Sequence, residues 1–283
     1  ILGAGSSMAD YRIGFKWWAL IIAVVFVISE LVCVACVPER PVACDEKPGK
    51  ISDMFKALFK NDQAMTVVVS IILVYTSLNI CGNLVLYFFR FDVGNEGAYS
   101  IFAAVAFAAQ VLVMMVIPLL RKRFSKSQLF ISGFIIQIAG FAVILIMAFA
   151  KLYTPQSWYI LCLPGILIYL GYGMLNVIMT IFLSDSVDYG EVMNGTREES
   201  VIFSMQTFTV KLASGVAVFL AGLVVDWIHL DTAAAVQTQD TLDALRMWMT
   251  IPSVILLIVG IFVFKRFYKL DDTRMEEIKS KLN

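Results

Sequence analysis

The chain has 283 residues, 60% of them hydrophobic and 16% charged, and its mean hydropathy is +0.83. Soluble domains run about 45–50% apolar and about 25% charged, so this composition is that of an integral membrane protein. Basic and acidic residues cancel to a net charge of zero, which excludes the basic footprint of a nucleic-acid binder.

Seven apolar stretches, residues 16–37, 64–89, 98–120, 128–150, 156–183, 201–228 and 247–267, approach the length a membrane helix needs. None alternates in the manner of a barrel strand. Lipid forces each backbone to satisfy its own polar groups, so the fold class is all-α.

The first stretch carries Glu30 and a Cys33-x-x-Cys36 pair. No second ligand pair follows, so the pair has no metal or redox reading. In the linker 38–63, Ile51, Met54, Phe55, Leu58 and Phe59 recur at helical spacing, with Asp53, Lys56 and Lys60 on other faces. Ser52 or Asp53 is placed to cap a short amphipathic helix on the membrane surface; the alternative is that these residues extend the next span.

The second span holds Asn79 and Asn83 four apart, with Tyr75 and Tyr87 in line. Such asparagines either bond a neighbouring helix or touch a substrate. The fifth carries Pro164, Gly165, Gly171, Gly173 and Asn176, residues that allow bends and close approach. After it, residues 184–200 read as an acidic loop with Asp185, Asp188, Glu191 and Arg197. That loop is either solvated or a set of ion pairs holding one conformation closed. Asn194-Gly195-Thr196 matches a glycosylation triplet, discounted because the loop is assigned to the inside.

The sixth span holds the most informative residue. A helix starting near Val201 puts Lys211 roughly 15 Å deep, near the bilayer midplane. An ammonium there costs ~3 kcal/mol or more, so it marks a functional site unless it serves a structural ion pair. Ser200, Ser204, Thr207, Lys211 and Ser214 share one helical face, with Gln206 flanking it. Small polar residues alone suggest packing; the lysine favours a solvated path. Asp226 and His229 read as boundary residues.

Orientation follows the basic residues. Arg40, Lys47, Lys50, Lys56 and Lys60 follow the first span, Arg121, Lys122, Arg123 and Lys126 the third, and Lys265, Arg266, Lys269, Arg274, Lys279 and Lys281 the last. Intervening connections carry Arg90, Lys151 and Arg246. The richer set is assigned to the cytoplasm, which puts the C-terminus inside and the N-terminus outside. An outward N-terminus without a signal-peptide pattern fits a fragment lacking an odd number of upstream spans. One span, a polar linker and six closely spaced spans suggest the end of one half followed by a whole second half.

Two rival classes are weighed on residues. A retinal protein needs a lysine in the middle of its seventh helix, where 247–264 has none, and a receptor usually carries Asp-Arg-Tyr where Arg121-Lys122-Arg123 stands. An intramembrane protease needs facing midplane aspartates, whereas Asp185 and Asp188 lie at the span's edge. The chain therefore reads as a non-enzyme, with a seven-helix receptor or retinal-type protein as the alternative.

Asp185-Ser186-Val187-Asp188-Tyr189-Gly190-Glu191, then Gly195, Arg197, Glu199 and Ser200, then Gln206, Thr207 and Lys211, resemble the glycoside–pentoside–hexuronide:cation symporters, of which the melibiose carrier is the best known. Asn61, the Tyr87-Phe88-Phe89-Arg90-Phe91 run and the basic turn 121–126 are similar too. The resemblance implies a major facilitator fold: residues 1–37 an outer loop and the sixth transmembrane helix, 38–63 a cytoplasmic middle loop, 64–268 the six-helix C-terminal bundle and 269–283 a cytoplasmic tail. It further implies a multi-pass carrier of the cell's inner (plasma) membrane that imports a sugar or glycoside with Na⁺ or H⁺ by alternating access, without an organic cofactor.

In that likeness Gln206, Thr207, Val210 and Lys211 sit near sugar and cation and Asn176 replaces an aromatic that stacks on melibiose; Asn79 and Asn83, on one face of the second span, are added as cavity candidates. The replacement argues for another glycoside or an acidic sugar. The family's cation-binding aspartates belong to the first half, so no residue of this chain is assigned as a metal ligand. Lys211 becomes a counter-charge that the cation displaces from those aspartates, and Asp185, Asp188, Glu191 and Arg197 an inner gate.

Overall fold

In the computed structural model, residues 8–36, 59–195, 199–234 and 236–282 are described. The chain divides into two units, residues 1–49 and 50–283. The described part of the first is one helix, α1 (Met8–Cys36). The amphipathic helix expected in the linker, and Arg197, lie outside the described residues.

The second unit is a bundle of six long helices and one short one: α2 (Asp62–Tyr87), α3 (Ala98–Leu120), α4 (Lys126–Phe149), α5 (Cys162–Asn194), α6 (Glu199–Trp227), α7 (Gln239–Phe267) and α8 (Asp272–Leu282). With α1 this makes seven helices, among the described residues, long and apolar enough to cross a membrane. No strand occurs among these residues. The fold is all-α, as the apolar runs require.

The helix starts obey local chemistry. Asn61 is extended and its side chain accepts from Ala64 N at 2.9 Å, so α2 begins there rather than continuing back into the linker. Ser125 and Gln128 form a reciprocal capping box for α4. Thr238 caps α7 through Thr241 N.

Two helix ends differ from the reading of the sequence. The segment 184–200, read as an inner loop, is helical up to Asn194. The acidic residues Asp185, Asp188 and Glu191 therefore stand on α5. Nothing in that stretch breaks a helix until Gly195, whose φ of +74° gives the left-handed cap, with its N–H donating to Glu191 O at 2.9 Å. Likewise α7 begins at Gln239, eight residues before the apolar run, so Arg246 is a helical residue and not part of a connection.

Helices α2 and α5 form the spine. The first packs on α5, α6 and α7, the second on α2, α3, α4 and α8. Ser77 and Ser253 cross-bond α2 to α7, each hydroxyl donating to the other's carbonyl (3.1 and 2.8 Å). Where lipid replaces water, such pairs and close backbone approach hold helices together. Ala213, Ala217 and Ala221 provide that approach on the buried face of α6.

The glycines of α5 serve the same purpose. A Cβ on Gly171 would lie 2.5 Å from Gly133 O of α4, and one on Gly173 2.6 Å from Val113 of α3. The bend they allowed for does not occur, and α5 runs unbroken through them. At the basic end, Phe130, Phe182, Phe264 and Tyr268 stack with centroids 4.4–5.2 Å apart, locking α4, α5 and α7 together.

Residues 269–283, read as a tail, contain α8. Leu270, Met275 and Ile278 are buried against Tyr189 and Val192 of α5 and Tyr268.

Candidate functional site

One polar seam crosses three helices. Asn79 Nδ2 donates to Tyr75 O and Asn83 Nδ2 to Asn79 O, both at 2.7 Å, so these amides are tied to their own helix. Tyr75 OH accepts from Asn176 Nδ2 of α5 at 2.6 Å, and its ring meets Tyr172 edge-on at 5.5 Å. One turn further along α5, Thr180 donates to Asn176 O at 3.1 Å and accepts from Gln206 Nε2 of α6 at 3.4 Å. Asn79, Asn83, Asn176 and Gln206 are half-buried and Thr180 is exposed.

The structure thus brings Asn79, Asn83, Asn176 and Gln206 to one seam, and adds Tyr172 and Thr180, which the sequence reading missed. Their signal was present: Tyr169, Tyr172, Asn176 and Thr180 follow at intervals of three, four and four along one face of α5. A seam of aromatic faces, amides and a hydroxyl can stack on a sugar ring and hydrogen-bond its hydroxyls.

On α6, Val210 is half-buried, and Thr207 and Lys211 are exposed on the side away from the alanine stripe. Thr207 donates to Phe203 O, at 3.3 Å. The Lys211 ammonium has no hydrogen-bond or ion-pair partner among the described residues.

Two ionic clusters flank the seam. At the basic end, Lys126 pairs with Asp185, both buried, and reaches Asp272 of α8 at 3.5 Å, while Arg121 reaches Asp272 at 3.3 Å. Burial works against the Asp272 anion, yet Arg121 and Lys126 outweigh it and hold the carboxyl below the ordinary range. Of the residues assigned to an inner gate, Asp185 is thus engaged inside this unit, by Lys126. Beside it, Asn61 Nδ2 donates to Ser186 O at 2.8 Å.

At the opposite end, Arg246 grips Asp92 through Nε (2.9 Å) and Nη2 (2.5 Å), and Asp243 through Nη1 (2.7 Å). Asp92 also accepts from Tyr153 OH at 2.6 Å. Burial, then the neighbouring Asp92 charge, push the Tyr153 phenol far above its ordinary value, so it stays a donor. A π-helical turn, Phe88–Asp92, ends α2 and presents Asp92 to this cluster.

Residues 1–272 match the family described as MFS/sugar transport protein. The chain belongs to that family. This bears out the resemblance seen in the sequence and the major facilitator fold class. Similar proteins include an uncharacterized symporter, YjmB, of Bacillus subtilis (25% identical, 89% of this chain and 54% of the relative). The raffinose carrier protein of Pediococcus pentosaceus is 24% identical over 98% of this chain and 43% of the carrier. The isoprimeverose transporter of Lactiplantibacillus pentosus is 25% identical over 95% and 54%. The chain spans about half the length of these relatives.

Proposed function

We propose that this chain is the sugar-facing C-terminal part of a secondary active transporter that moves a sugar or glycoside together with Na⁺ or H⁺ by alternating access. The observation that carries the proposal is the seam of Tyr75, Tyr172, Asn176, Thr180 and Gln206, which spans three helices and reaches the surface at Thr180. Related proteins named as raffinose and isoprimeverose carriers support the substrate class. In this reading α1 is the sixth helix of the whole transporter, the linker is its cytoplasmic middle loop, and both the basic end and the C-terminus are cytoplasmic.

The other six-helix half supplies the opposing wall and the cation-binding carboxylates. Lys211, exposed and without a partner among the described residues, is their counter-charge: it pairs with them in the empty carrier and yields to the cation. Asp188, Glu191 and Arg197 act at the inner gate, with Asp185 as its fixed anchor on Lys126. The lipid bilayer is the remaining partner.

The test uses the longer protein containing the upstream helices. Lys211→Cys is expected to abolish cation-dependent sugar accumulation while leaving insertion intact, and Gln206→Ala to raise the KM for sugar. Accumulation by Lys211→Cys at the wild-type level, still dependent on the cation, rules out the counter-charge.

A further inference from the structure

The basic end of the bundle holds a cavity that the transport seam does not use. Between the start of α2 and the end of α7 lies a crevice of about 510 Å³. Met65, Val69, Val263 and Phe267 form its apolar wall, and one acid and one base, Asp62 and Lys269, stand in its lining. Both charged residues are exposed, and Phe267 is 50% exposed beside them. The Lys269 backbone N–H donates to Gln63 Oε1 at 2.8 Å, which fixes the residue's position. Its ammonium has no ion-pair partner among the described residues. Asp62 accepts at Oδ2 from Gln63 Nε2 at 2.8 Å, so Gln63 holds both ends of the lining in place.

The position and the charges select the occupant. The crevice lies where the apolar lengths of α2 and α7 meet the basic end, at a membrane boundary where acyl chains fill apolar grooves and headgroups meet polar side chains. A cation at the mouth suits a phosphodiester. An anion at the same mouth disfavours a purely anionic headgroup and suits an ammonium. Because a carboxylate gains most from a donor able to hydrogen-bond, a primary ammonium is preferred to a quaternary one.

We propose that the α2–α7 crevice binds an ethanolamine phospholipid, with its phosphate on Lys269, its ammonium on Asp62 and an acyl chain along Met65, Val69, Val263 and Phe267. The lipid would seal the edge between the two helices that Ser77 and Ser253 join deeper in the bundle.

Native mass spectrometry of the full chain in detergent, titrated with phosphatidylethanolamine, phosphatidylcholine or phosphatidylglycerol, tests this, with inorganic phosphate as the headgroup-free arm. Phosphatidylethanolamine should be retained best. Lys269→Gln should lower its retention by about fivefold, the worth of one interfacial cation. Asp62→Asn should erase the preference over phosphatidylcholine, and Val263→Trp, which fills the wall, should remove the bound lipid. Lys151→Gln, at the opposite end, should change nothing. Equal retention by wild type and Lys269→Gln overturns the proposal even if Val263→Trp fails to fold. Tighter binding of phosphatidylglycerol, or saturation by inorganic phosphate alone, overturns it as well.

Discussion

Arg246 and Lys211 are two cations on long membrane helices, and the structure treats them in opposite ways. Arg246 is enclosed: its side chain and that of Asp92 are each 3% exposed, and Asp243 and Tyr153 complete the cluster. Lys211 stands exposed on α6 without a partner among the described residues. The first charge is satisfied by its own bundle and therefore belongs to the architecture. The second has no such partner among the described residues, which is what the proposed counter-charge role requires. The sequence put Lys211 deep in an apolar run and Arg246 outside one; what distinguishes them in the structure is the availability of a carboxylate, which Arg246 finds in Asp92.

Breaking the enclosed cluster should have the largest effect. Arg246→Ala leaves Asp92 buried and unpaired, and removing one partner of a buried ion pair typically costs ~3–5 kcal/mol. The purified protein should unfold at a much lower temperature or fail to assemble. Lys211→Ala in the same assay should change stability by less than ~0.5 kcal/mol, as an exposed substitution does. Equal losses in the two variants would abolish the contrast.

A second test sharpens what enclosure means. Gln137 of α4 is fully buried, and neither its side-chain nitrogen nor its oxygen has a partner among the described residues. Unlike Arg246, it is enclosed without being satisfied. Gln137→Leu removes that penalty and should raise stability by about 1–2 kcal/mol in thermal or denaturant unfolding. A loss of stability would show that the amide is paired in the native protein, by water or by another conformation.

The smallest effect concerns the half-open cluster at the basic end. The Asp272 carboxyl is held below its usual value of 3.8 by Arg121 and Lys126, in spite of burial. A depressed folded-state value contributes stability above the unfolded value, and that contribution disappears as pH falls through the folded one. The protection factors of the α8 amides (intrinsic over observed exchange rate at each pH) should therefore be steady from pH 7 to about pH 5 and fall below about pH 4. Asp272→Asn should flatten that profile. A fall beginning near neutrality would assign the release of α8 to another group.

Much of the fold was legible because lipid removes choices. A backbone without water must be helical, so seven apolar runs meant seven helices. Helical spacing made Asn79 and Asn83 readable as one face and Gln206 as the flank of another, while Asn176 entered through the family resemblance. Apolarity failed where helices outrun it. It ended α5 at residue 183, although the helix continues through Asp185, Asp188 and Glu191, and it began α7 at residue 247, past Arg246. In both places a polar residue remains helical because a partner from another helix, Lys126 or Asp92, accepts it.

The amino-acid order by itself determined the class, the number of spans, their charge asymmetry and the faces on which polar side chains stand, because these follow from local periodicity and the cost of bare backbone in hydrocarbon. Only the tertiary structure decided which charges are spent inside the bundle and which remain open, that Asn176 meets Tyr75, and that the last eleven residues of the described chain form a helix docked under α5. Those outcomes depend on pairs far apart in the chain, such as Asp92 with Arg246, and a pairing energy exists only once packing brings both members to the same place.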